Sequence, residues 1–421
     1  MNYDESLAYL DRLGNEVLTM KFGLETIRKL LESLGRPHLK YPSILIAGTN
    51  GKGSVACFLN SVLTASGIRN GVYTSPHLIR PEERIVVDDM PVKPEVFADC
   101  LTRVVEAVNQ LDLPSHPTYF EILTATAFLC FVEQEVELAV LEVGMGGRLD
   151  STNVVEPLLS ILTPVGLDHQ TFLGQTLKAV AGEKAGILRE GQPALTAPQK
   201  SEVQQVFCSK AASKKVDLVE LDASAIDCLG STDGRYSFGF HGAEYSLSLC
   251  GRHQVENAAL AIQALELLAG RGVSVSRSSL SKGIEEAHCA GRMQILSHDP
   301  TVVLDGAHNA DAIGNLVAFL SEHTPEPRTL VFSIMKDKDM ASVVELLETC
   351  FQDIYLTSVD SPRAASLEAL QSLLPSGVPA ADPLSAYHQV LESSAETIVV
   401  AGSFYLVGEI LRSIEAGEET G

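Results

Sequence analysis

Short apolar runs and longer amphipathic segments alternate along most of the 421 residues. Residues 41 to 67 form one strand-loop-helix unit. SILIA is a short apolar run of strand length, and VACFLNSVLTASG then places Val55, Phe58, Leu59, Val62 and Leu63 on one helical face before Gly67 stops it. LAVLEVG (138 to 144) and LLSILTPV (158 to 165) are two more runs of strand length, each ending in a polar or glycine-rich stretch, as expected of buried parallel strands. TLKAVAGEKAGILRE (176 to 190) has helical character interrupted by glycines, and QVENAALAIQALELLAG (254 to 270) is an amphipathic helix.

Beyond residue 296 the alternation becomes regular. TVVLD, a helix over 309 to 323, TLVFSI, a helix near 340 to 350, DIYLTS, two helical stretches, TIVVAG and a last helix follow in turn. This order predicts an open parallel sheet with right-handed crossovers. The expected organisation is therefore two α/β domains, 1–296 and 297–421, packed across a cleft. The final EAGEETG is expected to fray.

Composition narrows the function without naming it. Hydrophobic residues at 45% and charged residues at 20% fit an ordinary globular chain. With 31 basic and 54 acidic residues the formal net charge is −23, which argues against a nucleic-acid surface, because that needs clustered Lys and Arg. An anionic substrate must then be met by local positive charge, helix N-termini or metal ions. The eight cysteines show no C-x-x-C pair, which fits a reducing compartment. MNYDESLAYLDRL is acidic and amphipathic, and no apolar run reaches the length of about 18 residues needed for a membrane span. A cytoplasmic protein with no export or membrane signal is expected.

GTNGKGS (48 to 54) lies between strand and helix, where helix N-terminal amides point at a bound anion. A usual phosphate loop reads G-x-x-x-x-G-K-[ST]. Here Ile46 stands at the first glycine position, and Gly53 replaces the metal-binding hydroxyl after Lys52. The loop is read as nucleotide-binding or as a tight structural turn; Lys52 between two glycines favours the former. Hard cations take oxygen ligands, and Ser75 in TSPHL and Glu142 in LEVGMGGRLD both follow strand-like runs. Glu142 on its own is equally a strand-end carboxylate in solvent, although Gly144, Gly146 and Gly147 allow close backbone approach to a ligand. His169 in GLDHQ is by default an ordinary polar side chain, and Lys184 in GEKAGI a solvated lysine. Asp305 and His308 in LDGAHN lie just past a strand, where open α/β sheets bind ligands; Asn309 there is also a candidate helix N-cap and Gly306 a turn residue.

Taken in order, GTNGKGS, YTSPHL, YFEILTA, LEVGMGGRLDSTN, LDH, EKAGI, GRHQVENAALAI, the GR at 291 to 292 and LDGAHN closely resemble the folylpolyglutamate synthase/dihydrofolate synthase family within the Mur ligase superfamily. The match runs from KFGLE at 21 to 25 through GSFYLVGEI at 402 to 410. The resemblance implies an N-terminal P-loop Mur-ligase-type ATPase domain, a smaller C-terminal Rossmann-like domain and an active site between them. Carried over residue by residue, Asn50, Gly51, Lys52, Gly53 and Ser54 would cradle the ATP phosphates. Ser75 and Glu142 would hold a first Mg²⁺, and His169 with Glu142 a second. Lys184 falls on the position that the family carboxylates with CO₂. Asn257, Arg292, Asp305 and His308 resemble its nucleotide contacts. Phe120 would border the pterin, and Ser403 lies in the stretch associated with glutamate. LDSTN departs from the LDATN of many bacterial members and puts Ser151 at the folate pocket. A monovalent cation is also compatible with the resemblance.

The implied reaction is ATP-dependent joining of L-glutamate to a folate carboxylate through an acyl phosphate, with Lys52, Lys184, His169 and Asp305 nearest the chemistry. Dual activity on dihydropteroate and on reduced folates is expected, the alternative being one of the two alone; a monomer is expected. A Mur-type peptidoglycan ligase is disfavoured, because only 47 residues precede the loop. A non-catalytic nucleotide-binding module would explain Lys52 but leave Glu142, His169, Lys184 and Asp305 without a shared purpose.

Overall fold

The computed structural model describes residues 1–19, 21 and 23–417. The larger lobe is built on eight strands: β1 Ser43–Ala47, β2 Asn70–Tyr73, β3 Ile85–Val87, β4 Met90–Pro91, β5 Leu138–Glu142, β6 Leu159–Leu162, β7 Ala194–Thr196 and β8 Leu218–Glu220. Their order is β4-β3-β2-β5-β1-β6-β7-β8. The run from β2 to β8 is parallel, and β3 and β4 add antiparallel at one edge. β1 is buried on both faces, in keeping with its apolar run from Ile44 to Ala47. Leu45 and Ala47 face one core, shared with the helices Pro94–Gln110 and Tyr119–Glu133. Ile44 and Ile46 face the other, shared with Lys52–Ala65 and His253–Ala269. The five apolar residues expected on one face of the Lys52–Ala65 helix are all fully buried.

A small antiparallel sheet, β9 Asp227–Thr232, β10 Arg235–Phe240 and β11 Ala243–Cys250, has no counterpart in the sequence reading. Its alternation is clear only in β10 and β11; β9 is exposed along its whole length, so it carries little hydrophobic signal.

The smaller lobe contains β12 Gln294–His298, β13 Thr301–Asp305, β14 Arg328–Phe332, β15 Asp353–Leu356, β16 Val378–Pro379 and β17 Thr397–Ala401, in the order β12-β13-β17-β14-β15-β16. The regular helix-strand alternation is as expected, with two differences. β12 pairs antiparallel with β13, so the sheet is mixed. Leu296 lies inside β12, so the chain enters this sheet a few residues before the expected boundary. β12 is a half-exposed edge strand, without the apolar run that marks β13 and β17. The end of EAGEETG, residues 418–421, lies outside the described residues; Glu415 and Ala416 complete the last helix. Among the described residues no helix is long and apolar enough to cross a membrane.

Candidate active site

The central strands of the larger sheet end side by side. Ile46 is in register with Glu142, and Ala47 with Leu162, so the GTNGKGS loop, Glu142 and the loop carrying Asp168 and His169 all leave the same sheet edge. That edge faces the C-terminal end of β13. Between them lies a cleft of ≈ 270 Å³, and every residue that the resemblance assigns to the site lines it: Asn50 to Ser54, Ser75, Phe120, Glu142, Ser151, His169, Lys184, Asn257, Arg292, Asp305, His308 and Ser403.

The phosphate loop turns into its helix at Gly51, whose φ of 87° lies in the left-handed region that favours glycine. Lys52 folds back over the loop and donates to the carbonyls of Gly48 and Thr49, both at 3.1 Å. Its Nζ lies 3.8 Å from Glu142 Oε1. Glu142 is buried at 3% exposure and accepts from the Ser75 amide at 3.2 Å. The solvent-facing alternative for Glu142 is therefore wrong. So is the solvated reading of Lys184, which is 4% exposed and donates to the Gly48 carbonyl at 2.7 Å. Two lysines thus converge on one peptide oxygen. Burial, and then the neighbouring Lys52 charge, push the Lys184 amine down to about 7. Gly147 makes this burial possible: a Cβ there would lie 2.9 Å from the Glu183 carbonyl and 3.1 Å from Lys184 Cα.

Gly53 has a similar explanation. A Cβ at this position would sit 2.3 Å from Arg292 Nη2. The position that carries a hydroxyl in the usual loop is the surface on which this arginine lies, with Phe404 on its far side at 5.1 Å. Asn257 crowds Gly51 in the same manner, with Oδ1 2.6 Å from where a Cβ would be.

His169 adopts left-handed φ/ψ of 49° and 40°, an uncommon conformation for a residue with a side chain. Its Nδ1 is buried without a hydrogen-bond partner. Burial, and then the Lys338 ammonium, depress the imidazole to about 3. It is therefore neutral near pH 7, with a lone pair to offer.

From the smaller lobe, Asp305 accepts the amides of Met293 at 2.7 Å and Ala307 at 2.6 Å, yet burial raises it to about 6. His308 Nε2 lies 3.6 Å from Asp168 Oδ2. Asn309 is indeed the N-cap of the helix Ala310–His323, accepting from the Ala312 amide at 2.9 Å, and it also pairs with Asn50 across the cleft through two reciprocal amide hydrogen bonds of 3.0 and 3.2 Å. Ser403 caps Phe404–Ala416, and its Oγ accepts from Tyr405 at 3.1 Å.

On the opposite side Phe120 stands in the first turn of Tyr119–Glu133, which is held by a capping box between Thr118 and Glu121. It packs against Gly144, where a Cβ would lie 2.6 Å from the ring. Ser151 follows Asp150, whose carboxylate fixes the turn by accepting from Met145 and Thr152.

The sequence reading missed a charged cluster that joins the lobes. Asp168, beside His169, receives Lys338 Nζ at 2.6 Å. Burial opposes ionisation of Asp168, but the His308 imidazole and the Lys338 ammonium outweigh it and hold the carboxyl far below its ordinary range. Arg363 grips Asp337 through both carboxylate oxygens at 3.0 and 2.9 Å. The one available signal was MKDKD directly after the TLVFSI strand, a polar cluster at a strand end.

Comparison with known proteins agrees with this architecture. Residues 46–265 match the Mur ligase middle domain, and residues 291–404 match the Mur ligase glutamate ligase domain. The dihydrofolate synthase/folylpolyglutamate synthase of Bacillus subtilis (strain 168) is 36% identical over 411 residues, covering 94% of this chain and 96% of the relative. The structure of Escherichia coli FolC in complex with DHPP and ADP superposes with a TM-score of 0.88 at 30% identity, covering 100% of this chain and 99% of that one. A bifunctional folylpolyglutamate synthase/dihydrofolate synthase with Mn, AMPPNP and L-glutamate bound gives a TM-score of 0.86 at 28% identity, covering 99% and 98%. With both Mur domains in sequence and relatives matched over nearly its full length, the chain belongs to the folylpolyglutamate synthase/dihydrofolate synthase family of the Mur ligase superfamily.

Proposed function

We propose that this protein is an ATP-dependent ligase that joins the amine of L-glutamate to a folate carboxylate, accepting both dihydropteroate and reduced folates. The observation that carries this reading is the convergence, in one inter-lobe cleft, of a phosphate loop, two desolvated lysines, a carboxylate and histidine suited to a cation, and an aromatic side chain suited to a flat heterocycle.

A carboxylate acylates poorly, so its oxygen first attacks the γ-phosphate of ATP, forming an acyl phosphate and releasing ADP. The glutamate amine then attacks the carbonyl and phosphate leaves. Two anions must approach one another in the first step. Lys52 and the N-terminal amides of its helix supply positive charge aimed at the phosphates, while Arg292 lies against Gly53 on the same side. Asp305 and His308 contact the nucleotide from the smaller lobe, with Asn257 beside the loop. Phe120 stacks on the pterin and Ser151 borders it. Ser403, at a helix N-terminus, faces a carboxylate of glutamate, and Lys338 stands near enough in the cleft to assist. Enclosure by both lobes keeps water from the acyl phosphate.

The residues fit a divalent cation such as Mg²⁺. Ser75 and Glu142 offer hard oxygens, and His169 offers an unpartnered nitrogen. Among the described residues no group of three His, Cys, Asp or Glu side chains is arranged to hold a metal ion by itself, so substrate oxygens and water would complete the coordination of a first ion at Ser75 and Glu142 and a second at Glu142 and His169. Such ions supply charge neutralisation at the phosphates. Lys184 fits carboxylation: a buried amine titrating near neutrality is nucleophilic enough to take up CO₂, and the carbamate would place an anion beside Lys52.

Glutamate-dependent ADP release, measured with dihydropteroate and with a tetrahydrofolate as alternative acceptors, tests the reading. Turnover with both is expected. Turnover with one restricts the activity to that acceptor, and nucleotide binding without turnover on either overturns the ligase.

A further inference from the structure

Behind the phosphate loop is a feature that the ligase reaction does not use. Cys57 lies on the phosphate-loop helix, five residues after Lys52. Cys289 lies in the linker between the helix Arg277–Glu286 and β12, three residues before Arg292. Their sulfurs are 2.7 Å apart, and Cys289 Sγ is 3.9 Å from the Gly53 carbonyl. Both cysteines are free and, as residues, partly exposed. Cys100 and Cys130 also neighbour each other, but both are fully enclosed in the larger core. Cys208 and Cys228 are exposed, and the structure gives neither a thiol neighbour.

We propose that Cys57 and Cys289 are a redox modification site, oxidised by a peroxide to an intramolecular disulfide that ties the inter-lobe linker to the phosphate-loop helix. The two thiols are chemically distinct. The hydrogen bond donated by Cys57, and beyond it the Arg292 guanidinium, hold the Cys289 thiol below its ordinary range, while Cys57 is raised by the same hydrogen bond. Cys289 is therefore the attacking thiolate and Cys57 the resolving thiol. The Cys289 sulfur attacks one peroxide oxygen, the O–O bond breaks, and a sulfenic acid and hydroxide form. The Cys57 sulfur then displaces the sulfenic hydroxyl, and its proton leaves with that oxygen as water. Two thiols lose two electrons and two protons, and the peroxide is reduced to two waters. A dithiol reverses the change by exchange.

The linker carries Arg292 and connects the lobes, so the bond restricts both the seating of the arginine on Gly53 and any movement of the smaller lobe. Oxidation therefore slows turnover through Arg292 and the position of the smaller lobe, although neither cysteine itself lines the cleft.

The test uses the full chain with the exposed thiols removed (C208S/C228S), treated with hydrogen peroxide and mapped as unreduced peptides. A linked Cys57–Cys289 peptide is expected, with a mass loss of about 2 Da that dithiothreitol restores. Glutamate-dependent ADP release should fall at least about five-fold and recover on reduction. In C57S, or in C57A should the serine variant fail to fold, no link forms, and oxidation of Cys289 proceeds to a state that dithiothreitol does not restore. Absence of the linked peptide, or the same reversible inactivation in the Cys57 variant, overturns the site. A link formed at unchanged turnover overturns its regulatory consequence. The peptide map is independent of the ligase reading, so the two can fail separately.

Discussion

The two walls of the cleft hold their charges by different means. On the phosphate-loop wall the cations are fixed by backbone: Lys52 and Lys184 both donate to the Gly48 carbonyl, deep in the larger lobe and with no surface carboxylate needed. On the facing wall the charges are held by one another: Lys338 and His308 reach Asp168 across the gap, while Arg363 holds Asp337 within the smaller lobe. A wall built on peptide oxygens keeps its shape whatever the other lobe does. A wall built on inter-lobe ion pairs is complete only while the lobes are together, so it senses closure.

Removing a group from the rigid wall should have the largest effect. Lys184→Ala is expected to lower kcat by about 10² to 10³, the loss typical of one preorganised charge-stabilising group. A small carboxylic acid should restore part of it if the lysine acts as a carbamate, and ¹³C NMR of enzyme equilibrated with labelled bicarbonate reads the modification directly. Wild-type rates in the variant would remove Lys184 from the chemistry.

Asp305 gives the next effect, and its sign opposes that of Asp168. Its folded pKa is raised from the ordinary 3.8 to about 6, so between these values the folded chain keeps a proton that the unfolded chain releases. Stability contributed here is full below the lower value and declines as pH rises through about 6, by at most about 3 kcal/mol. Asp168, depressed when folded, contributes stability that is present above its ordinary range and lost as pH falls. Chemical denaturation of wild type and Asp305→Asn between pH 4 and pH 7 separates the two. The variant should lose the decline, and parallel curves would show that Asp305 ionises normally.

Asp168→Asn tests the closing wall. It leaves the buried Lys338 ammonium short of its partner, for which a loss of about 3 kcal/mol in stability is expected, together with a rise in KM for glutamate rather than a loss of nucleotide affinity. An unchanged KM for glutamate would separate the inter-lobe pair from the amino-acid site. The smallest effect belongs to Asn309→Ala. It removes a helix N-cap and the reciprocal amide pair with Asn50, for about 1 kcal/mol by thermal or chemical denaturation, with kcat changed less than by any of the other substitutions.

Legibility from sequence followed the same division. The rigid wall is written in local patterns: an apolar strand, a glycine-rich turn and a helix, with Glu142 at the end of a second strand. The Asp305 segment could be read for the same reason. What could not be read depends on tertiary approach. Lys184 has the local appearance of a solvated lysine, and only the bare Cα of Gly147 against its backbone shows that it is buried. The left-handed turn at His169 has no composition cue. Asp168 and Lys338 are 170 residues apart and meet only when the lobes do. β12 escaped because an edge strand needs no apolar alternation.

The missing hydroxyl in GTNGKGS has a consequence for engineering as well as for chemistry. Because the arginine from the linker lies where a Cβ at residue 53 would be, the loop and the linker form one packing unit. A serine placed at this position would displace the arginine, and a graft of the loop alone would leave its surface bare. The loop and residues 289 to 293 of the linker are therefore transplanted together or not at all.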